Sequence, residues 1–509
     1  MKKTARPYQD KGMYLMRKAF SDGKRKILFW LATGGGKSFV FSELITGLMK
    51  NKKRILFLVK RKQLVFQTHR LMSNMGIDSS ILIAAEKGFD NSKPLQICSI
   101  DTVVRRDMEF LKGFDAVIID ECHDATSKSY SNFLKMCQED FAIPLYVGLT
   151  ATPFPVNGRD HDFWDACVKP IEMHELRDQG FLVDCNLYIP SEVNLDDVKI
   201  MRSTGDYNEK QLSAKMQQLE VIGDAIEVYR KHGNNRPGLC FCVNIEHSKR
   251  MTLEFQRAGI TAVHCDQATK QQDRDQAIKD LQSGKIKIIC NVNIFSTGVD
   301  IPQAEVGIMA RPTQSECLYI QQAGRLLRPY RLCGKCSSQY DNSPNCPMCG
   351  WDKPSYIKPH AVILDMGNNT SRFGRIFDVR YPAISDDIQP RKEREVSLIK
   401  TCKECAYVYD KKRSVCPMCG DAGIRERYHK TKDGELRPYD EYESIKHSFT
   451  KLQILTLQRG WKPNKKFFDL YKQYGEILMK YQKEFDVPKW IPDIYRKQQM
   501  EALNGKLYS

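Results

Sequence analysis

Short apolar runs alternate with longer amphipathic segments over the first two thirds of this 509-residue chain. The runs are rich in Ile, Val and Leu and are bounded by turn residues, which is typical of strands buried on both faces of a sheet. The first set comprises residues 27–32, 55–59, 95–99, 116–119 and 145–149. Helix-length segments such as 37–49 and 63–75 lie between these runs. The alternation predicts a parallel α/β sheet.

The same pattern begins again further along the chain. The second set of apolar runs comprises residues 239–243, 261–265, 286–291, 306–310 and 361–365. This repetition predicts a second α/β domain, joined to the first between residues 170 and 185. No apolar run approaches 18 residues and the N-terminus does not resemble a secretory signal, so we expect no membrane span and a cytoplasmic location.

The last part of the chain differs in composition and in the spacing of its apolar residues. A linker with Pro382 and Pro390 precedes it, and strand-like alternation is absent from its final seventy residues. Aromatic residues recur there among many lysines, as in the group Phe467, Phe468 and Tyr471. Their helical spacing favours the core of a small helical bundle. A surface that stacks nucleic-acid bases is the alternative.

Lys and Arg total 79 against 62 Asp and Glu, which gives a formal net charge of +17. A basic excess favours a polyanionic partner, because Lys and Arg gain free energy by displacing counterions from phosphates. The alternative is a basic surface that is only solvated. Charge alone does not separate the two interpretations, so the choice between them depends on motifs.

A glycine-rich loop follows the first predicted strand and opens a predicted helix. Glycines allow backbone N–H groups to turn inward around phosphates, and the helix N-terminus adds positive potential. Lys37 would reach the β- and γ-phosphates of a nucleotide, and the Ser38 hydroxyl would bind Mg²⁺. Leu31 stands where such loops usually have their first glycine. The loop residues expected to bind the nucleotide are Thr33, Gly34, Gly35, Gly36, Lys37 and Ser38.

An acidic pair, Asp120 and Glu121, follows the predicted strand 116–119. Asp120 would hold Mg²⁺ through water, and Glu121 would orient and deprotonate the attacking water. An acidic pair after a strand can also be an exposed turn or a helix cap. Its place at the end of a strand of the same predicted sheet as Lys37 favours the catalytic interpretation.

The sequence Asp-Glu-Cys-His at 120–123 is a DExH box, and the chain resembles a superfamily 2 helicase. Further motifs of that family follow in order. They are residues 6–9, 59–67, 99–102, 150–153, 241–244, 296–302 and 321–328. The resemblance implies two tandem RecA-like domains that bind ATP and Mg²⁺ between them. It also implies that Arg6 and Gln9 contact the adenine side of the nucleotide and that Asp300 lies at the nucleotide.

The resemblance further implies roles for residues that would complete the site from the second domain. Gln321, Arg325 and Arg328 would be catalytic, with Arg328 as the arginine finger and Arg325 as a second contact to the γ-phosphate. Their spacing predicts that both arginines lie on one helix that faces the cleft, although either could instead form a surface salt bridge. The family's remaining roles fall on Thr150 and Thr152 for coupling, and on Ser99, Thr102, Thr297 and Gly298 for nucleic-acid contact.

Eight of the 18 cysteines form two quartets, each made of two Cys-x-x-Cys pairs. Four thiolates at such spacing suit tetrahedral Zn²⁺, with an iron–sulfur cluster as the alternative. A disulfide framework is disfavoured in a chain expected to be cytoplasmic. Each quartet with its zinc ion would form a zinc ribbon. The ribbons could stabilise a small fold, or they could contact nucleic acid through nearby residues such as Lys335 and Lys403. The expected zinc ligands are Cys333, Cys336, Cys346, Cys349, Cys402, Cys405, Cys416 and Cys419.

These patterns together predict a domain plan. Its parts are a first motor domain 1–175, a second motor domain 176–380 with an inserted zinc ribbon 331–357, a linker 381–398, a second ribbon 399–425 and a basic helical domain 430–509. The ribbons and the segment 364–369 resemble a helicase subgroup that is frequent in phages and prophages, although Met366 departs from the subgroup's usual Asp-His.

The resulting hypothesis is an ATP-dependent DNA helicase or translocase for replication, recombination or repair, acting on single-stranded, forked or branched DNA. A duplex translocase that does not separate strands and an RNA helicase are alternatives within the same enzyme class. A zinc-bearing nucleic-acid-binding scaffold with an inactive ATPase is a different class. The joint presence of Lys37, Asp120, Glu121, Arg325 and Arg328 argues against that last alternative.

Overall fold

The computed structural model describes most of the chain up to Asp421 and two short strands beyond it. The described residues are 5–60, 62–83, 89–105, 108–123, 128–153, 163–190, 193–201, 204–295, 301–341, 343–378, 399–421, 427–430 and 436–439. The chain divides into two compact units, Met1–Asp421 and Ala422–Ser509. Among the helices of the described residues we find none with the length and apolar character that crossing a membrane requires.

The first unit begins with a seven-stranded sheet whose strands are all parallel. Its strands are β1 (Lys26–Trp30), β2 (Ile55–Val59), β3 (Ser79–Leu82), β4 (Leu95–Ser99), β5 (Ala116–Asp120), β6 (Leu145–Thr150) and β7 (Ala166–Val168), in the order β3-β4-β2-β5-β6-β1-β7. The helices around it are α1 (Pro7–Ser21), α2 (Lys37–Lys50), α3 (Lys62–Asn74), α4 (Ile100–Val103), α5 (Lys128–Glu139) and α6 (Met173–Asp178), with a 3₁₀ turn at Met108–Leu111.

The central strands of this sheet are buried along their whole length. All five residues of β2 and of β4 are inaccessible to solvent, because separate apolar clusters cover the two faces of the sheet. Ile55 pairs with Leu95 on one side and with Ala116 on the other. Side chains that are buried on both faces favour a continuous apolar run, as in β2, whereas β4 also buries Gln96, whose side-chain amide donates to the carbonyls of Asp90 and Lys93.

A second parallel sheet follows in the same unit. Its strands are β8 (Cys185–Tyr188), β9 (Gly238–Phe241), β10 (Ala262–Cys265), β11 (Ile288–Asn291), β12 (Val306–Met309) and β16 (Ala361–Leu364), in the order β10-β11-β9-β12-β16-β8. Its helices are α7 (Glu209–Met216), α8 (Leu219–Val228), α9 (Ile245–Arg257), α10 (Gln271–Gln282), α11 (Glu316–Leu326) and α12 (Asn369–Phe373), and a π-helical turn at Tyr229–Gly233 extends α8. The prediction of two RecA-like parallel-sheet domains is confirmed.

The first cysteine quartet belongs to a small antiparallel sheet placed between α11 and β16. Its strands are β13 (Arg331–Cys333), β14 (Gln339–Tyr340) and β15 (Pro354–Ile357), with β13 in the centre. Two contacts fasten this sheet to the segment that precedes β12. The Tyr356 hydroxyl donates to Glu305 Oε1 at 2.5 Å, and the Gln303 amide donates to Gln339 Oε1. The quartet therefore sits on the second parallel sheet.

The second quartet lies on the edge strand β8. It is built around an antiparallel pair, β17 (Ile399–Thr401) and β18 (Val408–Asp410). The backbone N–H of Ile189 donates to the carbonyl of Ala406 at 2.9 Å, and Tyr188 packs edge-on against Tyr407. On its other face Tyr188 stacks against the His232 ring at 3.9 Å between centroids.

The second unit contains a hairpin in its described part, formed by β19 (Arg427–Lys430) and β20 (Leu436–Tyr439). These strands fall where the predicted helical domain 430–509 was expected to begin. Asp433 and Gly434 stand between them in the sequence, and Asp-Gly flanked by strand-forming residues is a hairpin signal. The aromatic residues from Trp461 to Trp490, on which the helical prediction rested, lie outside the described residues.

Candidate nucleotide site and cysteine clusters

The loop between β1 and α2 turns at two glycines. Gly34 and Gly36 have φ angles of +86° and +84°, in the left-handed region that glycine alone enters without strain. The N–H of Gly35 donates to the carbonyl of Ala32 at 2.9 Å, which closes the loop. Gly36 stands at the N-cap of α2, so Lys37 and Ser38 form the first turn of a 14-residue helix. This is the arrangement in which a helix N-terminus can hold an anion.

Lys37 lies against the acidic pair at the end of β5. Its Nζ is 2.7 Å from Glu121 Oε1, and both side chains are largely buried, at 14% and 16% exposure. Glu121 has a φ of +50°, a strained value for a residue with a Cβ atom. Its N–H donates to Asp120 Oδ1 at 3.0 Å. The strained turn therefore brings a lysine and two carboxylates together.

The two carboxylates differ in their pKa values. Burial and the neighbouring charge of Glu121 raise the pKa of Asp120 to about 6. Burial alone would also raise the pKa of Glu121, but the charge of Lys37 and the hydrogen bond from Lys37 hold it below its ordinary value. Adjacent acidic groups that are pushed apart in pKa are suited to different tasks. Glu121 is the carboxyl that keeps its charge to the lower pH.

His123 joins the acidic pair to both parallel sheets. Its Nδ1 lies 3.0 Å from the Thr150 hydroxyl and 3.4 Å from Glu121 Oε2, and its Nε2 lies 3.3 Å from the Gln321 side-chain amide nitrogen. The Thr150 hydroxyl donates to the Thr152 carbonyl, so it must accept from His123 Nδ1. The network thus assigns the proton to Nδ1 and leaves Nε2 to accept from Gln321.

Thr150 and Thr152 are both buried at the end of β6. The Thr152 N–H donates to the Thr150 hydroxyl at 3.0 Å, and the Thr152 hydroxyl lies 2.8 Å from Cys317 Sγ in α11. A second contact therefore runs from the first sheet to the second domain. Sequence reasoning did not single out His123 or Cys317 as site residues, although His123 is the last letter of the DExH box.

Helix α11 packs directly on the glycine-rich loop. A Cβ atom built on Gly324 would lie 2.7 Å from the Cβ of Thr33, so only a glycine allows this approach. The positive charge of Arg325 opposes the rise in the pKa of Asp120 and helps to lower that of Glu121, so the guanidinium lies near enough to act on both carboxyls. The second domain therefore delivers Gln321 and Arg325 to the same point.

Arg328 also faces the loop but does not belong to α11. The helix ends at Leu326, so the prediction that both arginines lie on one helix is wrong. Pro329 is the physical reason, because the residue before a proline is disfavoured in helical conformation. A Cβ atom on Gly34 would lie 3.8 Å from Arg328 Cγ, so Arg328 still borders the glycine-rich loop.

The N-terminal motif grips the same loop from the other side. The side-chain amide of Gln9 donates to the carbonyl of Gly35 at 3.1 Å, and the Tyr8 hydroxyl donates to the same carbonyl at 2.8 Å. The Arg6 guanidinium lies over the Phe181 ring at 5.0 Å, and its Nη2 is 3.3 Å from Asp341 Oδ2, next to the first quartet. Arg6 and Gln9 therefore lie beside the loop, and Gln9 contacts it directly.

The residues expected to contact nucleic acid are only partly described. Ser99 ends β4 and is buried, and Thr102 lies in the short helix α4 that follows. Both are at the carboxyl edge of the first sheet, the edge that also carries the glycine-rich loop. Thr297, Gly298 and Asp300 lie outside the described residues.

Each cysteine quartet brings four sulfur atoms within 4.8 Å of one another. The shortest Sγ–Sγ distances are 3.5 and 3.6 Å in the first quartet and 3.6 and 3.7 Å in the second. A disulfide bond would require about 2.05 Å. Four thiolates at about 2.3 Å from a tetrahedral zinc ion would be separated by roughly 3.7–3.8 Å, so the donor sets fit Zn²⁺.

The two quartets repeat one backbone design. After each Cys-x-x-Cys pair the next residue adopts a left-handed conformation, and its N–H donates back to the carbonyl of the first cysteine of that pair. These residues are Ser337 (φ +56°), Gly350 (φ +72°), Ala406 (φ +60°) and Gly420 (φ +77°). The sequence Cys-Pro-Met-Cys-Gly occurs at both 346–350 and 416–420, and it corresponds to this turn. The turn also forms after the first pair of each quartet, where the turning residue is not glycine.

Two family descriptions match this chain, one for each half of the site. Residues 2–155 match the family described as type III restriction enzyme, res subunit. Residues 214–330 match the family described as helicase conserved C-terminal domain. The chain belongs to superfamily 2 of the helicases. It is therefore an enzyme of the ATP-hydrolysing helicase type.

The helicase is similar to several known proteins. A 51.5 kDa protein of a Lactococcus phage is 26% identical over 448 residues, which cover 87% of this chain and 88% of the phage protein. The provisionally named ATP-dependent helicase IRC3 of Saccharomyces cerevisiae is 28% identical over 342 residues, which cover 64% of this chain and 49% of IRC3. The helicase thus spans most of the phage relative and about half of the yeast one.

A solved structure shares the fold. The ATP-dependent type ISP restriction-modification enzyme LlaBIII, determined bound to DNA, matches with a TM-score of 0.50 and 17% identity. The match covers 71% of this chain and 28% of LlaBIII.

The close approach of α11 to the loop generates a prediction for Gly324→Ala. The added methyl group would meet Thr33 and push Gln321 and Arg325 away from the acidic pair. Because small misplacements of catalytic groups are costly, we expect kcat for ATP hydrolysis to fall roughly 10–100-fold. Gly223→Ala in α8 is the matched control, since nothing lies within 4 Å of its added Cβ. Equal ATPase rates for the two variants would contradict this interpretation of the contact.

Proposed function

We propose that this helicase hydrolyses ATP between its two parallel-sheet domains and uses the cycle to move along DNA. The observation that carries the proposal is the chain of contacts from Lys37 through Glu121 and His123 to Gln321. These contacts join the glycine-rich loop of the first domain to helix α11 of the second. A change at the nucleotide therefore alters contacts in both domains.

The residues of the first domain have distinct roles in the proposal. Lys37 leaves Glu121 and binds the β- and γ-phosphates of ATP, while Ser38 and Asp120 hold Mg²⁺, which neutralises phosphate charge when bound. Glu121 accepts the proton of the attacking water. A general base must be ionised at the working pH, as a glutamate carboxyl ordinarily is near neutral pH. Arg6 and Gln9 position the nucleotide by gripping the loop.

The second domain completes the site with cations. Arg325 and Arg328 stabilise the charge that develops on the γ-phosphate in the transition state. Gln321 couples this state to Thr150 and Thr152 through the hydrogen bonds of His123. Closure of the domains then depends on ATP, and their opening after hydrolysis is the motion that drives a step. Asp300, which is assigned by its motif and lies outside the described residues, contributes from the same domain.

DNA is the proposed partner. The match to a restriction-enzyme family and the formal charge of +17 both support it, because restriction enzymes act on DNA and the basic excess suits a polyanion. Ser99, Thr102, Thr297 and Gly298 contact its phosphates. The same family match favours a second candidate, a translocase on duplex DNA that does not separate the strands. Replication, recombination or repair is the proposed setting.

Each cysteine quartet holds one structural Zn²⁺ in the proposal. The sulfur separations support zinc. A structural zinc site is closed and tetrahedral, so the four thiolates of a quartet are all the donors it needs. The metal would replace a hydrophobic core in these short segments.

Lys37→Ala tests the ATP site. Without the ammonium group the phosphates lose their main cationic partner, so we expect DNA-stimulated ATPase activity to fall at least ~100-fold. Lys50→Ala, at the exposed far end of the same helix, should retain the wild-type rate. The measurement is phosphate release at saturating ATP. Undiminished hydrolysis in Lys37→Ala would disprove the assignment.

The choice of nucleic acid is tested with one panel of substrates. ATPase stimulation and strand separation are compared for single-stranded DNA, blunt duplex, forked DNA, a four-way junction and RNA. We expect stimulation by DNA above that by RNA, with strand separation of forked DNA. Stimulation by duplex without strand separation would select the translocase, and stimulation by RNA alone would overturn the DNA proposal.

Metal analysis tests the quartets. We expect about two zinc atoms per chain, because each four-thiolate site holds one ion. Cys349→Ser should reduce the count to about one, whereas Cys167→Ser, a cysteine outside both quartets, should leave it unchanged. Iron in place of zinc, or a count near zero in the unmodified protein, would contradict the assignment.

A further inference from the structure

Lys358 is a buried lysine that the motifs leave without a role. Its side chain is 2% exposed, and it comes directly after β15, the last strand of the sheet that carries the first quartet. Lysine is almost never fully buried unless its charge is paired or fully hydrogen-bonded. The burial therefore needs a reason in the contacts that Lys358 makes.

The ammonium group of Lys358 is enclosed by backbone carbonyl oxygens. Nζ donates to the carbonyl of Ala304 at 2.6 Å, of Leu326 at 2.7 Å and of Pro302 at 3.1 Å. An ammonium group has three donors, so these three acceptors satisfy it completely. One side chain thus ties together three points of the backbone.

Those points belong to two segments of the second domain, one of which is α11, the helix that packs on the glycine-rich loop. Leu326 is the last residue of α11, where carbonyls lack helical partners and a cation is favoured by the helix dipole. Pro302 is the last residue of the motif at 296–302, and Ala304 follows it and leads into β12. Lys358 therefore fixes the end of α11 to the segment beneath it.

The backbone of Lys358 extends this hold past the helix. Its N–H donates to the carbonyl of Tyr330 at 2.9 Å. Between Leu326 and Tyr330, the Leu327 carbonyl accepts from the Val183 N–H at 2.8 Å. The non-helical stretch that carries Arg328 is therefore held on both sides.

We propose that Lys358 is a positioning residue for ATP hydrolysis, which acts through the backbone of residues 326–330 to hold Arg328 at the glycine-rich loop. The inference rests on the proposed role of Arg328. The inference also gives the first quartet a role, because the small sheet of β13, β14 and β15 positions Lys358 directly after its last strand. The two bonds from that sheet to Gln303 and Glu305 keep its last strand beside the same segment.

Lys358→Met is the test, with Lys353→Met as its matched control. Methionine keeps much of the length of the side chain and removes the ammonium group, whereas Lys353 is an exposed lysine of the same small sheet region. We expect kcat for DNA-stimulated ATPase to fall roughly 10–100-fold in Lys358→Met. The Kd for a fluorescent ATP analogue should stay within about threefold, and Lys353→Met should match the unmodified enzyme. An unchanged kcat in Lys358→Met would overturn the inference.

A double variant separates this inference from the proposed function. If Lys358 acts through Arg328, then Lys358→Met combined with Arg328→Ala should be no slower than Arg328→Ala alone. Losses that multiply would overturn the inference while leaving the role of Arg328 intact. An unchanged kcat in Arg328→Ala alone would instead disprove the arginine assignment, on which Lys358 depends.

Folding is monitored by thermal melting and zinc content of each variant. Lys358→Gln, which retains two amide donors, is the second variant if Lys358→Met does not fold. It should show the same loss of kcat with little change in the Kd for the ATP analogue. Failure of both variants to fold would also overturn the inference, because the lysine would then serve the fold rather than the arginine.

Discussion

The ion pair between Lys37 and Glu121 is the interaction around which the rest of the site is arranged. Two carboxylates and an ammonium group share a buried cleft, where unbalanced charge is costly. The strained backbone of Glu121 is kept because it brings this carboxylate to Lys37 and to His123 at once. Through His123 the same charge balance reaches Gln321 in the other domain. The charge balance of the acidic pair and the contact between the two domains therefore depend on the same residues.

The central strands and the glycine-rich loop could be predicted from sequence because local pattern determines them. A strand such as β2, buried on both faces, must be continuously apolar, and a loop that turns at Gly34 and Gly36 needs residues that accept positive φ. The edge strands β3, β7 and β8 were missed for the same physical reason. They are short and only partly buried, so their sequences do not carry the continuous pattern.

The rest of the site depends on contacts between distant parts of the chain, which no local pattern records. The placement of Arg328 beyond α11 follows from Pro329, a signal that was present but outweighed by the helical spacing of the two arginines. The burial of Lys358 has no sequence signal, because a lysine after a strand is normally solvated. The hairpin β19–β20 shows the opposite error, since its Asp-Gly signal was overlooked within a region judged by composition.

The seating of the second quartet against β8 has a consequence for the solubility of the protein. A strand at the border of a sheet offers unpaired N–H and C=O groups to any passing chain, and such borders are sites of aggregation. The bond from Ile189 to Ala406, together with Tyr407 packed on Tyr188, occupies part of that border. The turn that holds Ala406 is closed by the bond from its N–H to the Cys402 carbonyl, inside the second quartet. Disruption of that turn would leave this part of the sheet edge unpaired, and an unpaired edge favours association between copies of the chain.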